Sequence, residues 1–219
     1  QTNVYSGWNQ NLGFGEGANR ALLTTPISAY RCPSTPGAQV ATFPGITSAS
    51  FSADQDAIGS GIAYEATAVD YHAPISVRIP PMDTSSDLLS GAMPQTSSVG
   101  FRDVTDGTSN TILFGEVAGF PKLYNRRTAV GDNYPVFGHL GGWTRILPIR
   151  SDATGAALYG GNCLINCTNY ASANLYSFHA GGAQICLVDG SVKFLSESVE
   201  MDTFFRLMAT QDGLPVGDY

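Results

Sequence analysis

Apolar and polar positions alternate most clearly near the C-terminal end of the chain. Residues 183–188 (AQICLV) and 191–195 (SVKFL) are β-type runs joined by Asp189-Gly190. An Asp-Gly pair between two such runs predicts a hairpin closed by a two-residue type I′ turn, which needs φ > 0 at both central positions. The register then pairs Val188 with Ser191, Leu187 with Val192, Cys186 with Lys193 and Ile185 with Phe194. Ile185, Leu187, Val192 and Phe194 share one face, the expected core face. Cys186, Val188, Ser191 and Lys193 share the other.

The remaining pattern is broken by glycine and proline. Residues 26–32 read as a strand stopped by Pro33. Residues 66–69 suggest a strand entering a loop at Asp70-Tyr71-His72, and 75–79 a second strand before Pro80-Pro81. Residues 111–117 (TILFGEV) follow a turn marked by Asp106, Gly107, Thr108, Ser109 and Asn110, whose hydroxyls and amide suit Asx and ST turns. A short helix is expected over 19–23. A longer one over 199–209 would be capped by Ser198, with Phe204, Phe205, Leu207 and Met208 on its apolar face and Gly213 beyond its end. Residues 34–98 lack a sustained period and read as a loop-rich insertion within a single domain spanning 1–219. These elements predict a β-rich α+β fold: an antiparallel sheet, long irregular loops and a C-terminal helix.

Composition narrows the partners. Charged residues make up only 13% and the net charge is −7, which disfavours nucleic acid and anionic membrane surfaces. No run approaches the ~18–20 apolar residues of a transmembrane helix. Four cysteines allow three complete pairings. Cys163 and Cys167, four apart in a Gly/Asn-rich loop, suit a local disulfide in an exported protein. Without a Cys-x2-Cys pair or a histidine near Cys163 in sequence, spacing does not call for zinc or any other metal. Cys186 is left as a buried thiol or as a partner of Cys32.

Candidate chemistry is sparse. The nucleophile-elbow, phosphate-loop, dinucleotide and zinc-protease motifs are missing, and His72, His139 and His179 show no ligand spacing. His179 and Asp189 flank a strand roughly 17 Å long, so a direct acid–base dyad would need the chain to double back along it. Glu116 can be read as a catalytic partner of Asp103 or Asp106, or as a carboxylate held by an arginine or by backbone donors; the second needs fewer assumptions, since a half-buried carboxylate needs a partner for stability alone. Residues 54–59 (DQDAIG) place carboxylates on alternate positions as a calcium loop does, but lack its third ligand and terminal glutamate. Trp143 and Tyr134, with Phe137 and Trp8, are candidate stacking platforms for sugar rings.

Several of these stretches resemble one family. His179, nine residues, then Asp189-Gly190, within SFHAGGAQICLVDGSVKFLSE, resembles the His-x9-Asp-Gly signature of a large uncharacterised bacterial family abundant in planctomycete-type genomes. Tyr30-Arg31-Cys32-Pro33-Ser34 resembles its Cys-Pro-Ser motif, residues 103–116 (DVTDGTSNTILFGE) its Asp-Gly-Thr-Ser-Asn-Thr motif, and 163–169 (CLINCTN) its paired-cysteine motif. Cys186 departs from the pattern, which usually has an apolar residue there. The resemblance implies a prepilin-type signal and hydrophobic helix upstream of Gln1, so that membrane contact would come only through that helix. It further implies a pilin-like or pseudopilin-like head at the cell surface or outside the cell, partnered by itself or by similar subunits, and no established activity. His179, Gly181, Gly182, Asp189 and Gly190 then become structural motif residues, together with Asp106–Asn110 and Glu116. His179 is expected to bridge to the 106–110 turn or to a nearby carbonyl. A non-enzymatic structural subunit is the first reading. A surface module binding solutes or extracellular polysaccharide is the second, and a hydrolase using His179, Asp189, Asp103 or Glu116 the third.

Overall fold

The computed structural model describes residues 2–45, 61, 63–77, 89–94, 97–134, 138–141, 145–146 and 148–219. The fold is α+β and β-dominated. Helices α1 (Thr2–Gly7) and α2 (Gly17–Leu22) precede strands β1 (Val40–Phe43), β2 (Tyr64–Thr67), β3 (Tyr71–Pro74), β4 (Ser76–Val77) and β5 (Leu89–Ser90). There follow β6 (Ile112–Glu116), β7 (Lys122–Asn125), β8 (Thr128–Asp132), β9 (Arg145–Ile146), β10 (Gly182–Leu187), β11 (Val192–Ser196) and helix α3 (Met201–Met208). The main sheet has the order β11-β10-β6-β3-β9, antiparallel except for the β3–β9 pair. Two-stranded sheets β1–β2, β4–β5 and β7–β8 surround it. No helix among the described residues is long and apolar enough to cross a membrane.

One face of the main sheet is core. Ile112, Ile185, Leu187 and Leu195 are buried there with Ile146, Leu175, Tyr176 and the α3 residues Phe204, Leu207 and Met208. Fully burying each such side chain is worth about 1.5–3 kcal/mol. Helix α3 therefore matches the apolar stripe read from sequence, although Ser198 does not cap it. The N-cap is Glu200, without a side-chain bond, and Ser198 bonds Ser196 instead.

The hairpin forms with a different turn. Leu187 N donates to Ser191 O and Gly190 N to Leu187 O, both at 2.9 Å, which leaves a three-residue loop. Gly190 alone is left-handed, at φ +86°; Asp189 is not. Two forces favour this loop over a type I′ turn. The Asp189 carboxylate accepts from Ser191 N and Oγ, and Val188 N and Asp189 N are claimed by Thr111 O and Thr108 O. The register becomes Cys186↔Val192, Ile185↔Lys193 and Gln184↔Phe194. A slip of one residue moves side chains to the opposite face. Val192 and Phe194, expected in the core, are 68% and 45% exposed.

Other expectations shift for similar reasons. Residues 28–30 form a 3₁₀ turn rather than part of a strand, because Tyr30 N bonds Ile27 O and Asp70 holds the following backbone. Tyr71–Pro74, which begins inside the loop expected at Asp70-Tyr71-His72, is an inner strand of the main sheet and lies within the span 34–98 assigned to an insertion. Its buried His72 interrupts the apolar pattern yet is fully served: Nε2 meets Val69 O at 3.1 Å and Nδ1 meets Ser172 Oγ at 3.0 Å.

Candidate functional site

Three motif segments, far apart in sequence, meet on the sheet face opposite the core. Alternation along β6 and β3 puts Glu116 and its cross-strand partner Tyr71 on this face, with Gly115 and His72 on the other. His179 arrives from the segment before β10. Its backbone is tied by His179 N to Ser177 Oγ at 3.1 Å, and Arg127 donates to Phe178 O and His179 O at 3.2 and 2.8 Å. Gly182 roots the strand: a Cβ there would stand 2.1 Å from Leu195 O, so only glycine lets β11 close against it. Cys32 arrives from the 3₁₀ turn and its amide donates to Asp70 Oδ2 at 2.9 Å. Asp70 is itself buried, paired with Arg31 at 3.3 Å and bonded by Gly119 N.

The side chains converge on one imidazole nitrogen. His179 Nε2 lies 3.4 Å from Cys32 Sγ and 3.6 Å from Glu116 Oε1, while Nδ1 faces Ser34 Oγ at 3.4 Å. Glu116 is fully buried; its Oε2 accepts from Gln184 N at 3.2 Å, and Oε1 makes no hydrogen bond of ordinary geometry. Burial pushes the Glu116 carboxyl above the usual carboxylate range, against the opposing pull of the neighbouring Cys32 thiol and the Gln184 amide. Burial also raises the Cys32 thiol, and Glu116 raises it further. Tyr71 beside them is raised by burial first and by Cys32 second. His179 keeps a 31% exposed side chain, so one edge of the cluster faces solvent.

The sequence-derived residues separate into two groups. Asp189, Gly190 and the 106–110 turn sit together at the far end of the hairpin. There Asp106 accepts from Asp212 N and Gly213 N, which ties the exit of α3 to the turn. Asn110 Nδ2 bonds Asp106 O, and Thr111 Oγ1 bonds Gly107 O. His179 does not reach this turn; it bonds Cys32 and Ser34 instead, because β10 separates the two ends. Glu116 meets a backbone donor, a histidine and the Cys32 thiol, with neither an arginine nor Asp103 or Asp106 among its contacts in the described residues. Cys163 and Cys167 form a disulfide with Cα atoms 6.1 Å apart. Cys32 and Cys186 are both free thiols.

Tyr134 and Trp8 are half-buried and pack against the core cluster, and Trp8 also borders a cavity. Trp143, Phe137 and the 54–59 loop lie outside the described residues. Sequence reasoning missed Asp70, Arg127 and Cys32 as site residues. For Cys32 a signal existed: the Cys-Pro-Ser, Gly-Glu and His-Ala-Gly-Gly stretches each supply one member of the cluster.

The same face carries an apolar opening. Phe114, Cys186, Tyr71, Tyr30, Val69 and Leu140 border a cavity of about 450 Å³. Beyond it Phe114, Val192 and Phe194 stand exposed along β6 and β11.

Fold and site together describe a β-rich α+β fold with one closed sheet face and one open face bearing a thiol–carboxylate–imidazole cluster. The family described as "Protein of unknown function (DUF1559)" matches residues 1–202, and the chain belongs to it. No curated protein and no solved structure matches the chain.

Proposed function

We propose that this chain is the head of a non-enzymatic structural subunit, pilin-like in organisation, that works at the cell surface or outside the cell. The observation that carries this reading is the open sheet face. Phe114, Val192, Phe194 and Tyr30 are 36–68% exposed around an apolar cavity. A contiguous apolar face of this kind marks a surface that is covered in the working assembly. The Cys163–Cys167 disulfide supports an oxidising compartment, and the low charge of the chain suits packing among copies or similar subunits. The test is the precursor. Its reading frame upstream of Gln1 should encode a prepilin-type cleavage signal followed by an apolar helix of ~20 residues. A reading frame without either ends the pilin-like assignment.

The cavity favours a second reading, a surface module that captures a small solute or glycan. Its volume falls in the range of about 300–1,000 Å³ used for small ligands, and Tyr30, Tyr71 and Phe114 offer rings for stacking. Saturable binding in a glycan and metabolite screen, lost in Phe114→Ala, would support it. A blank screen with folded wild type would remove it.

A further inference from the structure

We propose that Cys32, Glu116 and His179 form a binding site for one zinc-class divalent cation, with Cys32 as thiolate, Glu116 through Oε1 and His179 through Nε2. The three donor atoms come from segments more than sixty residues apart, yet all lie within 4.8 Å of one another. Their spacing suits a tetrahedral centre. Bond lengths of ~2.3 Å to sulfur and ~2.0–2.2 Å to nitrogen or oxygen put neighbouring donors about 3.3–3.7 Å apart. The sulfur–nitrogen and oxygen–nitrogen separations here are 3.4 and 3.6 Å.

Hydrogen bonding alone explains this arrangement poorly. Nε2 carries either one proton or one lone pair, and it faces both a thiol and a carboxylate oxygen. It serves one of them at a time, and the Cys32 thiol also lies against the Glu116 carboxylate. Glu116 Oε1 is wholly buried and, among the described residues, makes no hydrogen bond of ordinary geometry, which is costly for a group of this kind. A dication bound to thiolate, carboxylate and neutral imidazole resolves both problems, since two negative charges balance two positive ones. Coordination leaves the Cys32 proton in the buffer; no other bond is made or broken.

The surroundings orient the donors as outer groups do in metal centres. Ser34 Oγ faces Nδ1 and can accept its proton, the tautomer that leaves the Nε2 lone pair free; Gln184 N holds Oε2 and so aims Oε1. Asp70 fixes the Cys32 amide and Arg127 the His179 carbonyl. A thiolate among the donors selects zinc-class ions over calcium or magnesium. The exposed edge of His179 leaves the fourth position to water or to an incoming ligand.

The test is a titration of the chain with Co²⁺ and then Zn²⁺, after chelator treatment and without reductant, so that Cys163–Cys167 stays closed. One equivalent of Co²⁺ should produce a thiolate-to-cobalt charge-transfer absorption, and one equivalent of Zn²⁺ should abolish it. Cys186→Ser should retain the band. With the other two cysteines disulfide-bonded, that result assigns the thiolate to Cys32 without depending on how a buried variant folds. Glu116→Gln, which keeps the shape of the side chain, and His179→Gln should each weaken Zn²⁺ at least a hundredfold. Ser34→Ala should weaken it about tenfold. No band in wild type, a band surviving in Cys32→Ser, or a band lost in Cys186→Ser overturns the site. Uptake by the isolated chain is independent of assembly, so its failure leaves the structural-subunit reading untouched.

Discussion

His72 and His179 sit on opposite faces of one sheet, and their nitrogens are treated differently. His72 is completely buried, stacked on Phe120 with ring centroids 5.7 Å apart, and both of its nitrogens are hydrogen-bonded. Burial pushes its pKa down to about 4, so the ring stays neutral. His139 follows the same rule, with Nε2 on Tyr64 Oη at 2.8 Å and the ring held among Phe14, Phe43 and Tyr64. At His179 one nitrogen faces a thiol and a carboxylate together, and a buried oxygen is left over. Burial and pairing alone would call all three histidines structural. Counting protons against partners is what separates the third from the first two.

Removing the rings should expose this difference most strongly. His72→Ala leaves a cavity and orphans Ser172 Oγ and Val69 O, and should cost about 3–4 kcal/mol in urea denaturation. His179→Ala in metal-free protein should cost about 1 kcal/mol, since its ring is partly solvated and its contacts are long. Equal losses for the two variants would erase the distinction.

Acid should sharpen it. Between the ordinary imidazole value of 6.5 and about 4, the unfolded chain binds a proton at His72 that the folded chain does not. Stability from this ring is therefore complete above pH 6.5 and is lost as pH falls through that window, by about 3 kcal/mol in all. Wild type should be clearly more stable than His72→Gln at pH 7 and should approach it near pH 4. A gap that stays constant with pH would refute the buried neutral ring.

The far end of the hairpin provides the control with the smallest expected effect. Gly190→Val places a β-branched residue at φ +86° and should cost about 1–3 kcal/mol. It should leave cobalt absorption at the His179 end unchanged. A melting temperature equal to wild type would contradict the turn described here, and a lost absorption would show that the two ends act as one unit.

The sequence by itself determined the elements whose signals are local. The Asp-Gly hairpin, the strand that carries Glu116, the apolar stripe of the C-terminal helix and the Cys163–Cys167 pair were legible because backbone conformation, period and short loop closure depend on near neighbours. The separation of His179 from Asp189 followed from the length of a strand. Tertiary structure decided the rest. The hairpin register shifted because Thr108 and Thr111 carbonyls compete for the loop amides, and with it Val192 and Phe194 moved from the core to the open face. Tyr71–Pro74 became an inner strand because Val69 and Ser172 satisfy a histidine that breaks its apolar pattern. The cluster at His179 joins residues 32, 116 and 179, and no spacing rule spans such distances. Only the sheet order, which sets β10 beside β6 and β6 beside β3, could bring a thiol, a carboxylate and an imidazole to one point.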